Sequence, residues 1–300
     1  MATLICGSLA FDTIMDFEGR FADQILAEQL HILNVSFLVP TLRRDFGGCA
    51  GNIAYAMKQL GGEPLPMATV GTDAQGYLDR LRALGISTEF VRSLDDAYTA
   101  QAMIMTDRDN NQITAFHPGA MSAAHLNAVP GRPDIRLGII SPDGREAMLQ
   151  HAQQFHDAGV PFVFDPGQGL PMFSGEELRH FVELASWIAV NDYEGRMLSE
   201  RTGWSLAELS QRVRGLVVTL GAAGCDLWEQ GQSTHVAGVQ AAEVVDPTGC
   251  GDAWRGALLY GLEQGWSLAR CAELGNRLGA LKVAARGPQN YVWRGDGLTA

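Results

Sequence analysis

Residues 244–254 read VVDPTGCGDAW. Pro247, Gly249 and Gly251 interrupt the chain between hydrophobic flanks, with Asp246 near one end and Asp252 near the other. Val244 and Val245 read as the end of a strand, and Ala253, Trp254, Ala257, Leu258 and Leu259 as one apolar side of a helix. A helix start exposes unpaired N–H groups and a partial positive charge, which suits an anion. The N–H groups of Gly249, Cys250 and Gly251 can form such an anion nest. Asp252 is then either an N-cap or a carboxylate beside the anion. A carboxylate there repels a phosphate, and accepting a proton from an attacking hydroxyl is a sufficient reason for its presence. On these residues alone both readings stand.

Outward from this turn, the chain alternates. Short apolar strands are expected near 3–7, 64–71, 136–143, 160–167, 187–191 and 215–221. Helices are expected at 47–62, 73–86, 144–158, 175–185, 192–201, 252–264 and 267–284. Such repetition implies a mostly parallel sheet covered on both faces. Residues 98–117 break the pattern as a hairpin around DRDNN, and 15–46 show no sustained helical repeat. These two segments are expected to pair as a small β lid, about 15–46 and 98–118, over the C-terminal ends of the parallel strands, where open α/β sheets bind ligands. A further β patch is expected at 224–238, and the whole of 1–300 reads as a single domain.

The chain has 300 residues, 46% of them hydrophobic, and a formal net charge of −12. No stretch concentrates Lys and Arg, which argues against nucleic acid as a partner. The five cysteines, Cys6, Cys49, Cys225, Cys250 and Cys271, lack C-x-x-C spacing and are odd in number. That pattern argues for a reducing compartment and against a zinc site. No basic leader and no membrane-length apolar run is apparent, so the expected location is the cytoplasm, with no membrane partner. A Walker P-loop is absent, and so is the dinucleotide fingerprint, because GSLAFD after the first strand carries one glycine. An NAD-dependent oxidoreductase is thereby disfavoured.

DPTGCGDAW resembles the C-terminal signature of the ribokinase-like (PfkB) carbohydrate and nucleoside kinases, D-T-x-G-A-G-D-x-F. GGCAGNIAYAMKQLG (47–61) resembles their G-G-x-x-x-N-x-A signature, NDYE (191–194) their N-x-x-E motif, and VVTLGAAG (217–224) their nucleotide-binding strand and loop. FHPGAM (116–121) looks like the adenosine-kinase and broad-specificity nucleoside-kinase branch. The resemblance implies a three-layer α/β/α fold with a small β lid and ATP-dependent phosphorylation of a primary hydroxyl. It implies that Asp252 is the catalytic base and Gly249, Cys250 and Gly251 the anion hole. Asn191 and Glu194 fall in the family's Mg²⁺ and phosphate network, acting through water. Thr219, Gly221, Gly224 and Asn276 fall on the nucleotide side. Asp246 and Thr248, with the backbone near Ala285 and Gly287, match a monovalent-cation (K⁺) site of many members. Pro247, Cys250 and Trp254 depart from the pattern, and Cys250 reads as a small core-facing residue, not a nucleophile.

For the acceptor, Asp12, Gly47, Gly48 and Asn52 suit a vicinal diol, here a ribose. Phe116 either stacks on a purine or packs the lid, and Gln101 and His117 either bond the base edge or lie exposed. The leading expectation is a kinase for the 5′-hydroxyl of a purine ribonucleoside, using ATP and Mg²⁺. A ribose or fructose kinase is the first rival, and a silent nucleotide-binding regulator the second. Unpaired lid strands also suggest a homodimer through the lid.

Overall fold

The computed structural model describes residues 1–25 and 34–295. Strands, in chain order, are β1 (Ala2–Cys6), β2 (Ala10–Asp16), β3 (Thr41–Gly47), β4 (Pro64–Val70), β5 (Val91–Ser93), β6 (Ala100–Thr106) and β7 (Gln112–His117). They continue as β8 (Ile135–Ile140), β9 (Phe162–Phe164), β10 (Trp187–Asn191), β11 (Gly215–Thr219), β12 (Gly224–Glu229) and β13 (Gln232–Ala237). Helices are α1 (Cys49–Gln59), α2 (Gln75–Ala83), α3 (Arg145–Asp157), α4 (Gly175–Leu184), α5 (Asp192–Thr202), α6 (Leu206–Ser210), α7 (Cys250–Glu263) and α8 (Leu268–Val283).

Nine strands form one sheet in the order β13-β12-β11-β10-β9-β8-β1-β4-β5. All neighbours are parallel except β11–β12 and β12–β13. Side chains alternate across it. Leu4 and Cys6 join the core beneath one face, with Phe155, Phe164 and Phe181, while Ile5 joins the other, with Ile53, Leu258 and Leu274. Burial on both faces explains why these strands read as near-continuous apolar runs. The chain builds outward from β1 in both directions, and the carboxyl ends beside that reversal point form a ligand crevice.

A second sheet, β3-β2-β6-β7, forms the lid. β2 pairs with β6 in parallel, and the hairpin β6–β7 is antiparallel, as DRDNN suggested. The lid starts earlier than the expected residue 15. β2 begins at Ala10, so Asp12 stands on a lid strand and not on the loop after β1. Part of the expected lid segment, 26–33, lies outside the described residues.

Three local readings are corrected. Val244 and Val245 form no strand. They are 79% and 41% exposed, and the Val245 N–H bonds the Val283 carbonyl at the end of α8 instead of a sheet neighbour. Ala253 through Gly261 are all buried, so α7 is enclosed all round and has no single apolar side. β5 and α6 escaped the periodicity reading because three and five residues are too few to display one.

Candidate active site

The turn before α7 is stapled before any ligand arrives. Asp246 Oδ1 accepts the Thr248 N–H at 2.9 Å, and the Cys250 N–H bonds the Pro247 carbonyl at 3.1 Å. Cys250 therefore spends the donor expected of it, and the nest that remains is built on Gly249, Gly251 and the first-turn N–H of Asp252. Gly249 is the helix cap, at φ +78, where an L side chain is strained. Asp252 is not the cap: α7 has no side-chain capping bond, and Asp252 lies in its first turn. The Cys250 thiol is pushed up by burial, as the reading against a nucleophile requires.

A buried relay fixes the Asp252 carboxylate. Asn52 Nδ2 donates to Asp252 Oδ2 at 2.8 Å. Gln289 Nε2 donates to Asn52 Oδ1 at 3.0 Å and to the Tyr77 hydroxyl at 2.8 Å, and Tyr77 donates to the Gly47 carbonyl at 2.6 Å. Arg80 Nη2 holds the Gln289 carbonyl at 2.6 Å. Because Gln289 must donate to the Asn52 oxygen, the Asn52 amide must present its N–H to Asp252. Burial raises the Asp252 pKa, opposed by the Asn52 bond and the Arg255 charge. Asn52, expected at the substrate, is thus the partner of Asp252.

Arg255 and Asp165 were missed by the sequence reading. Arg255 Nη2 bonds Asp165 Oδ1 at 3.1 Å and lies 3.8 Å from Glu194 Oε2. A methyl group at Gly251 would stand 3.7 Å from Arg255 Nη1, which places the guanidinium beside the anion nest. The available signal was a lone arginine in the apolar run AWRGALLYG. Its partner is 90 residues away, beyond any local pattern.

Asp12 meets no hydrogen-bond donor among the described residues, although it is largely buried. Its pKa is raised to about 6 by burial, then by the charges of Asp45, Asp252 and Asp246, with Arg43 opposing. Gly47 faces it: a Cβ there would lie 2.4 Å from Asp12 Oδ2. Gly48, at φ +83, caps α1. Cross-strand register sorts the remaining lid residues, because paired residues share a face. Asp12 pairs with Ala102, and Ala102 with Phe116, so Phe116 shares the face of Asp12. Phe116 is 50% exposed, leaving its ring available. Gln101 pairs with Phe11 and His117, so both expected base-edge readers lie on the opposite face. There Gln101 Oε1 accepts from Arg44, whose guanidinium lies 3.6 Å from the Phe11 ring centroid. The structure does not bring Gln101 and His117 to Asp12.

On the nucleotide side, Asn191 and Glu194 form a reciprocal capping box at the start of α5, each bond 2.8 Å. Glu194 Oε1 has no donor among the described residues. The charges of Asp165 and Asp252 act on the Glu194 carboxylate, and an oxygen left over from the capping box fits a water-mediated Mg²⁺ arrangement. No group of three or more His, Cys, Asp or Glu side chains among the described residues could cage a metal. Thr219 ends β11 in register with Asn191, its hydroxyl on the Val190 carbonyl at 3.3 Å. Gly221 opens to space, whereas Gly224 packs against the Val236 carbonyl. Asn276, expected on the nucleotide side, is engaged within the protein. Its amide donates to the Val236 and Ala237 carbonyls at 3.3 and 3.0 Å and accepts the Trp254 indole N–H at 3.0 Å. Trp254, at the Phe position of the signature it resembles, brings an indole N–H that needs a partner.

The expected K⁺ residues converge as expected, but on a lysine. Lys282 Nζ donates to the Asp246 and Ala285 carbonyls, and the Gly287 N–H and Arg43 take Asp246 Oδ2 at 2.9 and 3.4 Å. The Asp246 and Ala285 carbonyls, which a bound K⁺ would also use, already accept from Lys282.

A mostly parallel sheet, a small β lid and a glycine-rich helix start define a ribokinase-like fold. The chain belongs to the pfkB family of carbohydrate kinases, whose model matches residues 15–294, and it is an ATP-dependent kinase. Among solved structures it is similar to the Burkholderia thailandensis nucleoside kinase in complex with inosine. That pair shares 55% identity and a TM-score of 0.87, covering 97% of this chain and 93% of the other. The nucleoside kinase of Methanocaldococcus jannaschii is 31% identical over 262 residues, 86% of each chain. Mouse ribokinase is 28% identical over 274 residues, covering 84% of this chain and 82% of its own.

Proposed function

We propose that this kinase phosphorylates the 5′-hydroxyl of a purine ribonucleoside. The observation that carries the reading is Asp12, a largely buried carboxylate without a donor among the described residues, on the lid face that also presents Phe116. A ribose diol supplies the two O–H donors that Asp12 lacks, and a purine supplies a π face for Phe116. The Burkholderia thailandensis relative, solved with inosine and with ADP-inosine, supports the same substrate class.

In this reading the diol binds Asp12, and the 5′-oxygen lies at Asp252. Asp252 accepts the hydroxyl proton as the oxygen attacks the γ-phosphorus in line with the departing ADP oxygen. The Gly251 and Asp252 N–H groups hold the phosphoryl oxygens at the helix start, with the Arg255 charge behind them. Asn52, locked by Gln289, keeps the Asp252 carboxylate aimed. Asn191 and Glu194 would hold the waters of an Mg²⁺ bound with ATP, which would supply neutralisation of the phosphate charge. We also propose that two copies pair through their lids, whose edge strands β3 and β7 are unpaired among the described residues. A single-chain mass in sedimentation would reject that pairing. Five free thiols support a reducing, cytoplasmic setting, and no helix among the described residues is long and apolar enough to cross a membrane.

The test is phosphorylation with Mg-ATP across adenosine, inosine, guanosine, cytidine, ribose and fructose. Purine nucleoside 5′-monophosphates are expected. Turnover of free ribose or fructose alone would replace the reading with a sugar kinase. ATP binding without turnover of any acceptor would replace it with a regulator.

A further inference from the structure

The cage beneath the anion nest is filled by the protein itself. Lys282 lies in the last turn of α8 and is 0% exposed. A lysine is almost never fully buried unless its charge is met. Here the ammonium donates to the Asp246 carbonyl at 2.8 Å and the Ala285 carbonyl at 3.0 Å. Asp246 supplies the counter-charge, and its carboxylate is itself held by the Thr248 and Gly287 N–H groups, each at 2.9 Å. Val245 and Asp246 close the same knot, both donating to the Val283 carbonyl. Two segments, 245–248 and 283–287, are therefore tied around one ammonium.

The tie reaches the chemistry through few bonds. Asp246 is followed by Pro247, whose carbonyl takes the Cys250 N–H, and then by the cap Gly249 that opens α7. Moving Asp246 moves the nest. A free monovalent cation needs the same carbonyl oxygens, and two positive charges cannot share them. A tethered ammonium is always present at its site, at an effective concentration that no salt has to match.

We propose that Lys282 is a built-in monovalent cation, which positions the anion-binding turn and makes this kinase independent of K⁺. This rests on the reading of 249–252 as the anion nest, not on the identity of the acceptor. Lys282 is a positioning residue, because it acts through the Asp246 and Ala285 carbonyls.

The test starts with the unaltered protein. It is exchanged into tetramethylammonium chloride with the Tris salt of ATP and Mg²⁺, then titrated with K⁺, Na⁺ or Cs⁺ at constant ionic strength. Turnover of inosine, or of whichever acceptor is active, is expected to vary by less than about twofold, with an unchanged Tm. Saturable activation of fivefold or more by K⁺ would overturn the proposal. The second arm is Lys282→Met. Its turnover is expected to fall at least about tenfold and to recover in a saturable way with K⁺ or ammonium, and the same cations should raise its Tm. A folded Lys282→Met enzyme that keeps full activity without any added cation would overturn the proposal. So would a loss that neither ion restores, which marks a merely structural lysine. If the variant does not fold, the first arm decides. Absence of turnover with every acceptor would count against the kinase reading, whereas cation-dependent turnover counts against Lys282 alone.

Discussion

Asp252 and Asp12 are the same side chain in opposite settings. Asp252 stands on the floor of the site, gripped by Asn52, which Gln289 orients and Arg80 braces through the Gln289 carbonyl. Asp12 stands on the lid with no donor among the described residues. Burial raises both, but Asn52 and Arg255 oppose the rise at Asp252, while the charges of Asp45 and Asp252 add to it at Asp12. In the proposed reading the floor is complete before substrate arrives, and the lid is completed by the substrate.

The comparison breaks first at Asp252. Asp252→Asn keeps the shape and removes the proton acceptor, so kcat should fall about 10²–10⁴-fold. ATP binding, measured by calorimetry, should be retained. Turnover above one tenth of the parent's would unseat Asp252 as the base.

The rigidity of the floor is tested at Arg255. Arg255→Met strands the buried Asp165 carboxylate, with Glu194 close by. Removing one partner of a buried pair costs about 3–5 kcal/mol, readable by urea unfolding. A loss below about 1 kcal/mol would mean that this cluster does not hold the floor together.

Asp12 should behave in the reverse sense. Its native pKa of about 6 lies above the unfolded carboxylate value, so the folded state binds that proton more tightly. Its charge therefore opposes folding in full above pH 6, and the penalty fades as pH falls through 6 toward 4. Asp12→Asn should stabilise the free enzyme at pH 8 by on the order of 1–2 kcal/mol, yet raise the nucleoside KM about 10–100-fold. In the parent enzyme, KM should climb as pH drops below about 6. A variant that lost stability, or kept its KM, would make Asp12 a structural residue.

The smallest effects separate the lid faces. Phe116→Ala should raise KM about tenfold, within the range of base–aromatic stacking. Gln101→Ala and His117→Ala should change it by less than about twofold, because both lie on the far face. Equal losses at all three would show that the lid is read from both sides.

Much of this was legible from spacing. The helix start at 249–252 and the hairpin around DRDNN carry strong turn chemistry, and the long helices show their period. Lid register was harder to read. Side chains alternate every residue, so the neighbours Gln101 and Ala102 face opposite ways, and composition cannot say which way is in. Val244 and Val245 misled because β-branched residues before a turn resemble a strand, and nothing local reveals that no sheet neighbour is there to pair with them.

Contiguous residues carry the order of the longer elements, the glycine-rich turn before α7, the family signatures and the candidate base, and these could be read from the sequence. Tertiary structure alone decided which groups meet them. Asn52 reaches Asp252 across 200 residues, Gln289 reaches Asn52 across 237, and Lys282 enters the cage of Asp246 across 36. Those meetings depend on how α1, α7 and α8 pack on one face of the sheet. Close packing brings groups together across distances that no local period encodes, and once buried, each charge or amide must find its partner there.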